Sequence, residues 1–340
     1  MRSPLNKRLF RELRGEFGKY LVIFILMTLT IGMVSGFLVA DGSMIQAYEE
    51  SFEKYNIENG HFRTEKKMNN AQIQDIEHLG IKLYENYYVE EALTNGSTMR
   101  IFKNRDEVNK VCLMKGKMPE KPGEIGIDRM YADNNDLSVG DEIESGGHTW
   151  KITGLVALSD YSALFSNNND SMFDSVKFGV SVVCPEEFDS YKADQLNYSY
   201  AWKYNTEPKN EKAEKDISED LMEDVAKEVT LEEFVPRYTN QAIIFTGDDM
   251  GGDRSMMIVL LYIIIVIMAF VFAITTSNTI RKEANVIGTL RASGYTRGEL
   301  IRHYMAAPVF VTFIGAIIGN IIGYTVGKDY CAGLYYGSYS

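Results

Sequence analysis

Three long stretches without a single charged residue decide what this 340-residue chain can become. They are residues 21–40 (LVIFILMTLTIGMVSGFLVA), 256–277 (MMIVLLYIIIVIMAFVFAITTS) and 306–327 (AAPVFVTFIGAIIGNIIGYTVG). A helix rises about 1.5 Å per residue, so roughly 20 apolar residues cross the ~30 Å hydrocarbon core of a bilayer. Buried helices of soluble proteins rarely stay uncharged beyond roughly 14 residues, and three such runs exclude a soluble fold. A cleavable signal is the competing reading of the first run. Its apolar stretch is too long for one, and Leu38-x-Ala40 is a poor small-x-small cleavage site. The chain reads as an α-helical membrane protein with three transmembrane helices.

The charges orient it. Residues 1–20 carry a balance of +4 and residues 278–305 one of +3, whereas 41–254 carry −19. Short basic flanks stay cytoplasmic, while a long acidic domain can be translocated. The expected order is therefore a cytoplasmic leader 1–20, a first span 21–40 and an extracytoplasmic domain 41–254. A second span 256–277, a cytoplasmic loop 278–305, a third span 306–327 and an outer tail 328–340 complete it. In the leader, Leu5, Leu9, Leu13, Phe17 and Phe10 share one helical sector and Lys7, Arg8, Arg11 and Arg14 the other. That pattern suits a helix lying on anionic lipid, and equally a plain topogenic flank.

Residues 41–254 have the mixed signature of an inserted α+β domain. Residues 43–55 extend the first span as a stalk. Strands are expected at 84–93 and 98–103 around Asn95-Gly96, then at 124–127. Residues 139–158 read as two strands folded back at Gly146-Gly147, followed by strands at 177–183 and 198–204. Residues 209–227 read as a charged helix solvated on most faces, and 166–171 (SNNNDS) as a polar loop.

No chemistry of a familiar kind appears. The chain has no phosphate-binding Walker loop, no G-x-S-x-G elbow and no H-E-x-x-H. His61, His78, His148 and His303 lack metal-ligand spacing, so neither a metal nor a cofactor is expected. The acidic total argues against nucleic acid as a partner. Glu186-Glu187 and Asp248-Asp249 read as solvated surface, and Cys112 and Cys184 share a compartment in which they could pair. Nothing points to an enzyme.

The loop TIRKEANVIGTLRASGYTRGELIRHYM (279–305) is the most informative segment. Ile280, Ala284, Ile287 and Arg291, with Leu290 beside them, give a short helix with a narrow apolar edge. Gly294 suits the left-handed position that closes it, and Thr296-x-x-Glu299 is a capping box that starts the next helix, with Tyr295 and Leu300 at staple positions. In the third span Gly315, Gly319, Gly323 and Gly327 recur every four residues, a ridge that expects a close helical partner, either a dimer mate or a further span, the alternative being packing only within this chain. Asn320 near midspan suits an interhelical hydrogen bond.

Ile287-Gly288-Thr289-Leu290-Arg291-Ala292-Ser293-Gly294 resembles the signature of the FtsX-like permeases, the MacB/LolC type of ABC transporter membrane subunit. The order of span, outer domain of about two hundred residues and second span is similar too. So are the strings Gly123 to Ile127, Val139 to Ile143 and Trp150 to Val156, which look like the MacB-type periplasmic core. Where the family often has an acid before the Ile-Gly pair, this chain has Val286, and its nearest acid is Glu283. The resemblance implies that Glu283, Ile287, Gly288, Leu290, Arg291 and Gly294 dock on a separate cytosolic ABC-type ATP-binding subunit. It also implies a homo- or heterodimer of permease units in a bacterial plasma membrane, and export or extraction of a lipoprotein, peptide or other amphiphile. The alternatives are a signalling or scaffold subunit that activates a cell-wall hydrolase or senses antimicrobial peptides, and an anchored binding module with no ATPase. Family members carry a fourth span, so the chain is expected to be a fragment of a four- or ten-helix permease.

Overall fold

The structure is a computed structural model that describes residues 14–337 and residue 339. The leader residues Leu5, Lys7, Arg8, Leu9, Phe10, Arg11 and Leu13 lie outside the described residues. In chain order the elements are α1 (Phe17–Lys54), β1 (Gly60–Thr64), α2 (Asn70–Glu77), β2 (Ile81–Glu85), β3 (Tyr88–Ala92), β4 (Thr98–Lys103), β5 (Val111–Gly116) and β6 (Glu124–Asp128). Next come α3 (Arg129–Asn134), β7 (Glu142–Ser145), β8 (His148–Leu158), β9 (Phe178–Val183), α4 (Pro185–Phe188), β10 (Tyr198–Tyr204), α5 (Glu211–Glu228) and β11 (Leu231–Pro236). The chain ends with α6 (Gln241–Lys282), α7 (Ala284–Ala292), α8 (Arg297–Ile322), a π-helical turn (Gly323–Gly327) and α9 (Lys328–Tyr336). Two compact units result, one of residues 1–45 and 250–335, the other of 46–249 and 336–340.

Three helices are long and apolar enough to cross a membrane, Phe17–Lys54, Gln241–Lys282 and Arg297–Tyr336, and most of each lies in the first unit. Each outruns its apolar stretch. The first continues through the expected stalk, and the third passes Gly327 by way of the π turn. The glycine ridge finds its partner inside this chain, on α1. A Cβ built on Gly319 would stand 2.8 Å from the Thr28 carbonyl oxygen, and one on Gly323 2.6 Å from that of Gly32. From the other side, a Cβ on Gly36 would meet the Gly327 carbonyl carbon at 2.8 Å. Backbone therefore lies on backbone along this crossing, as small-xxx-small ridges allow. The Thr28 hydroxyl donates to the Gly315 carbonyl at 3.4 Å. Asn320 lies off the ridge. It is exposed and donates to the Ala316 carbonyl of its own helix at 2.9 Å, where an interhelical bond was expected.

The second unit is the expected α+β domain. A four-stranded antiparallel sheet runs β11-β1-β10-β2, and a larger mixed sheet runs β3-β4-β9-β6-β8-β5, with β7 paired to β8. β9 (FGVSVV) is buried at every position, because it lies parallel to β4 on one side and antiparallel to β6 on the other. One apolar core joins the sheets, with Phe62, Tyr200 and Trp202 from the smaller and Ile101, Ile125 and Trp150 among those from the larger. Gly146 (φ +56°) and Gly147 (φ +84°) form the tight turn between β7 and β8, since both central positions of such a turn need φ > 0.

Several expectations change. Residues 84–93 are not one strand: β2 pairs with β10 in the smaller sheet, β3 pairs with β4 in the larger, and the chain crosses between sheets at Asn86-Tyr87. β1, β5, β11 and α2 carry too little apolar alternation to stand out in the sequence. α5 is less solvated than its composition suggests, since Ser218, Leu221 and Val225 are buried and the helix packs on α2 and β11. Glu187 is buried, not solvated; it accepts from the Gly123 amide at 2.7 Å. Asp248 and Asp249 are exposed. Cys112, Cys184 and Cys331 are all free thiols, and Cys112 accepts a hydrogen bond from the Tyr55 hydroxyl at 3.2 Å.

Candidate functional site

The 279–305 loop is built by three successive breaks. The first falls at Glu283, whose backbone (φ −100°, ψ 12°) leaves the helical track between α6 and α7. Ile280 therefore belongs to the end of α6, one element earlier than its periodicity suggests. The second break is Gly294, at φ +94°, a conformation that glycine adopts without the steric cost a Cβ imposes. The Tyr295 amide donates back to the Leu290 carbonyl at 3.2 Å, closing the end of α7. The third is the N-cap of α8. Thr296 accepts from the Glu299 amide, and the Glu299 carboxylate accepts from the Thr296 amide at 2.9 Å, forming the reciprocal capping box.

What this presents is a nine-residue helix with no buried residue among those described. Val286, Gly288 and Arg291 are exposed, while Ile287, Leu290 and Tyr295 are half-buried. Gly288 has open space around its missing side chain. Arg281 and Lys282 precede the helix in the chain and Arg297 and Arg302 follow it, all of them exposed. Glu283 stands apart from the other expected docking residues. Its carboxylate accepts a 2.5 Å hydrogen bond from the Tyr304 hydroxyl on α8. A short apolar edge flanked along the chain by cations can seat in a groove of a partner protein. Among the described residues no group of His, Cys, Asp and Glu could hold a metal ion.

A second polar assembly sits in the α+β domain. Glu58, 1% exposed at its side chain, accepts from His61 Nδ1 at 2.6 Å and from Asn109 Nδ2 at 2.6 Å. Asn109 also reaches Asp160, which forms a two-pronged pair with Arg105 at 2.7 Å on both arms. Arg105 donates in turn to Asn86 Oδ1. Burial disfavours charge on both Glu58 and His61, but each holds the other ionised. The His61 charge and hydrogen bond, helped by Asn109 and Arg105, keep Glu58 below its ordinary value. Glu58, helped by Glu233 and Asp160, raises His61 above its own. Nothing in the sequence spacing announced this network: apart from Glu58 and His61, three residues apart, its bonded pairs lie 19 to 55 residues apart along the chain.

Residues 258–337 match the family model described as FtsX-like permease C-terminal. These residues form an FtsX-like permease domain. The matched stretch contains α7, the capping box and the glycine ridge. No curated protein matches the chain by sequence. Among solved structures, the periplasmic region of MacB from Actinobacillus actinomycetemcomitans is similar, at 10% identity and a TM-score of 0.28, over 50% of this chain and 86% of that one. The extracellular domain of the noncanonic ABC-type transporter YknZ from Gram-positive bacteria is similar at 9% identity and a TM-score of 0.28, over 51% of this chain and all of that one. At such scores neither likeness bears on what this chain does. The permease domain and the three long apolar helices make the chain a membrane protein.

Proposed function

We propose that this chain is the permease subunit of an ABC transporter and that α7 docks on a cytosolic ATP-binding subunit. The observation that carries the reading is α7 itself, a short helix stopped at both ends, without a fully buried residue, flanked along the chain by cations and set between two candidate spans. A helix of this kind spends conformational freedom while gaining only partial burial in its own chain, which is understandable if a partner covers it. On this reading the N-terminus and the 278–305 loop are cytoplasmic, and residues 41–254 are extracytoplasmic. ATP hydrolysis in the partner then drives the outer domain, for export or extraction of a lipoprotein, peptide or other amphiphile. Glu283 acts as a tether to α8, and Leu290 and Arg291 as contacts.

Affinity purification of the tagged chain from membranes of its source cells, with Leu290→Asp and Arg291→Glu variants in parallel, tests the reading. An ATPase bearing a Walker motif should accompany the unaltered chain and be lost from both variants, with membrane insertion unchanged. An eluate without such an ATPase, or equal recovery with both variants, overturns it.

A further inference from the structure

Both sheets of the α+β domain line a cleft of about 540 Å³, within the roughly 300–1,000 Å³ range of small-ligand pockets. Its lining is unusual in a specific way. Asn86, Asn167, Asn168 and Asn240 all contribute to it, and in each the Oδ1 atom is already taken by a group that can only donate. Asn86 accepts from Arg105 Nη1 at 2.8 Å, Asn167 from the Asn169 amide at 2.9 Å, Asn168 from the Gln241 amide at 2.8 Å and Asn240 from the Ala242 amide at 3.1 Å. These bonds fix which end of each carboxamide is which. Four Nδ2 amino groups remain, none with a hydrogen-bond partner among the described residues. Acceptors line the same cleft: the Asn197 carboxamide oxygen, the Ser199 hydroxyl and the Glu233 carboxylate.

Charge and apolarity narrow the ligand. Of the five acids that line the cleft, Glu58 is paired with His61 and Asp160 with Arg105, and Arg63, Arg100 and Lys177 balance Glu90, Asp174 and Glu233, so neither an anion nor a cation is favoured overall. Most of the aromatic wall is already covered, Phe165 excepted. The Arg100 guanidinium lies over Tyr88 at 4.5 Å and Phe178 at 5.0 Å, and that of Arg105 over Phe102 at 4.6 Å. An apolar chain would displace water from the four amino groups and leave them unbonded, at a cost that excludes it. A hydroxyl group, by contrast, accepts from an amide N–H while donating to a carboxylate or carbonyl oxygen.

We infer that this cleft binds a neutral, hydroxyl-rich ligand, a short saccharide. The inference stands independently of the transporter reading, because it uses only the α+β domain. The test is saturation-transfer difference NMR on the full chain in lipid nanodiscs, with maltotriose, cellotriose and chitotriose at millimolar concentration and with inorganic phosphate and hexanoate as controls. At least one trisaccharide should give a signal and the controls none. Asn168→Asp keeps the oxygen that accepts from Gln241 but turns the free donor into an acceptor, and Asn167→Asp does the same for Asn169. Each change should weaken saccharide binding about tenfold while leaving the melting temperature in place. Absence of signal from all three sugars, a signal from phosphate or hexanoate instead, or equal sugar binding by both variants overturns the inference.

Discussion

Adding one methyl group at Gly323 should prise the first and third long helices apart. The new Cβ would stand 2.6 Å from the Gly32 carbonyl oxygen, 2.9 Å from the Gly36 nitrogen and 2.9 Å from the Ser35 Cβ. Ordinary van der Waals contact begins near 3.4 Å, so the crossing must open by the difference between 3.4 and 2.6 Å, which is 0.8 Å. Two of the three obstructing atoms are backbone and cannot rotate away. A radial gap of about 0.5–1 Å already forfeits a quarter to a half of each dispersion contact along the seam. Overpacking of this kind costs about 1–3 kcal/mol. The helix-propensity gain of alanine over glycine returns about 1 kcal/mol at most. Gly298→Ala supplies the internal control, because nothing lies within 4 Å of its Cβ position and only the propensity gain applies. Unfolding both variants in mixed micelles by titration with sodium dodecyl sulfate, followed by circular dichroism, should place Gly323→Ala below the parent protein and Gly298→Ala at or above it. If Gly323→Ala matches Gly298→Ala, the close approach of α1 to the ridge is wrong.

Two further outcomes follow from the buried polar network. His61 is held above its ordinary value and Glu58 below its own. Stability from the raised histidine is fully present below the unfolded-state value of 6.5 and is lost as pH rises through the folded value. Stability from the depressed carboxyl is present above 4.5 and is lost as pH falls through its folded value. The melting temperature should therefore decline on both sides of that window. His61→Gln should flatten the alkaline decline, whereas an unchanged alkaline limb would dismiss the pairing as a source of stability. Asp160→Ala strips Arg105, 7% exposed, of both arms of its ion pair and leaves a buried cation with only Asn86 and the more remote Glu58 to offset it. A loss of about 3–5 kcal/mol in chemical denaturation is expected, and a loss no larger than that of an exposed pair such as Lys103→Ala would refute this account.

The spans, the Gly146-Gly147 hairpin, the Gly294 turn and the Thr296–Glu299 capping box were legible because each depends on residues within a few positions of one another. Local chemistry is written in order along a chain. The partner of the glycine ridge was not legible for the opposite reason: Gly319 and Gly323 meet Thr28 and Gly32, nearly three hundred residues earlier. Gly32-x-x-x-Gly36 stood in the first span as a matching ridge, and comparing the two would have suggested the pair. The cleft was hidden in the same way, because Asn86, Asn167, Asn168 and Asn240 come from three separate connections. Residues 166–171 read as a featureless polar loop until the fold set two of their carboxamides beside β1 and β4. Glu187 misled through composition. An acidic domain makes any carboxylate look solvated, and only a buried backbone amide shows otherwise.

The π-helical turn at Gly323–Gly327 solves a problem of phase. Six residues of the third long helix recur at strict intervals of four: Gly315, Gly319, Gly323, Gly327, Cys331 and Tyr335. At about 100° per residue, each interval of four overshoots a full turn by about 40°, and five intervals carry the row about 200° around an unbroken α-helix. The far end of the row would then look away from the neighbour that its beginning touches. A turn wound one residue wider returns about 100° of that drift. With it, Gly315 packs on Met27, Gly323 on Gly32 and Tyr335, two full turns beyond Gly327, on Phe37 at 6.0 Å. The wide turn thus acts like the leap day in a calendar, an inserted unit that keeps two unequal periods in step.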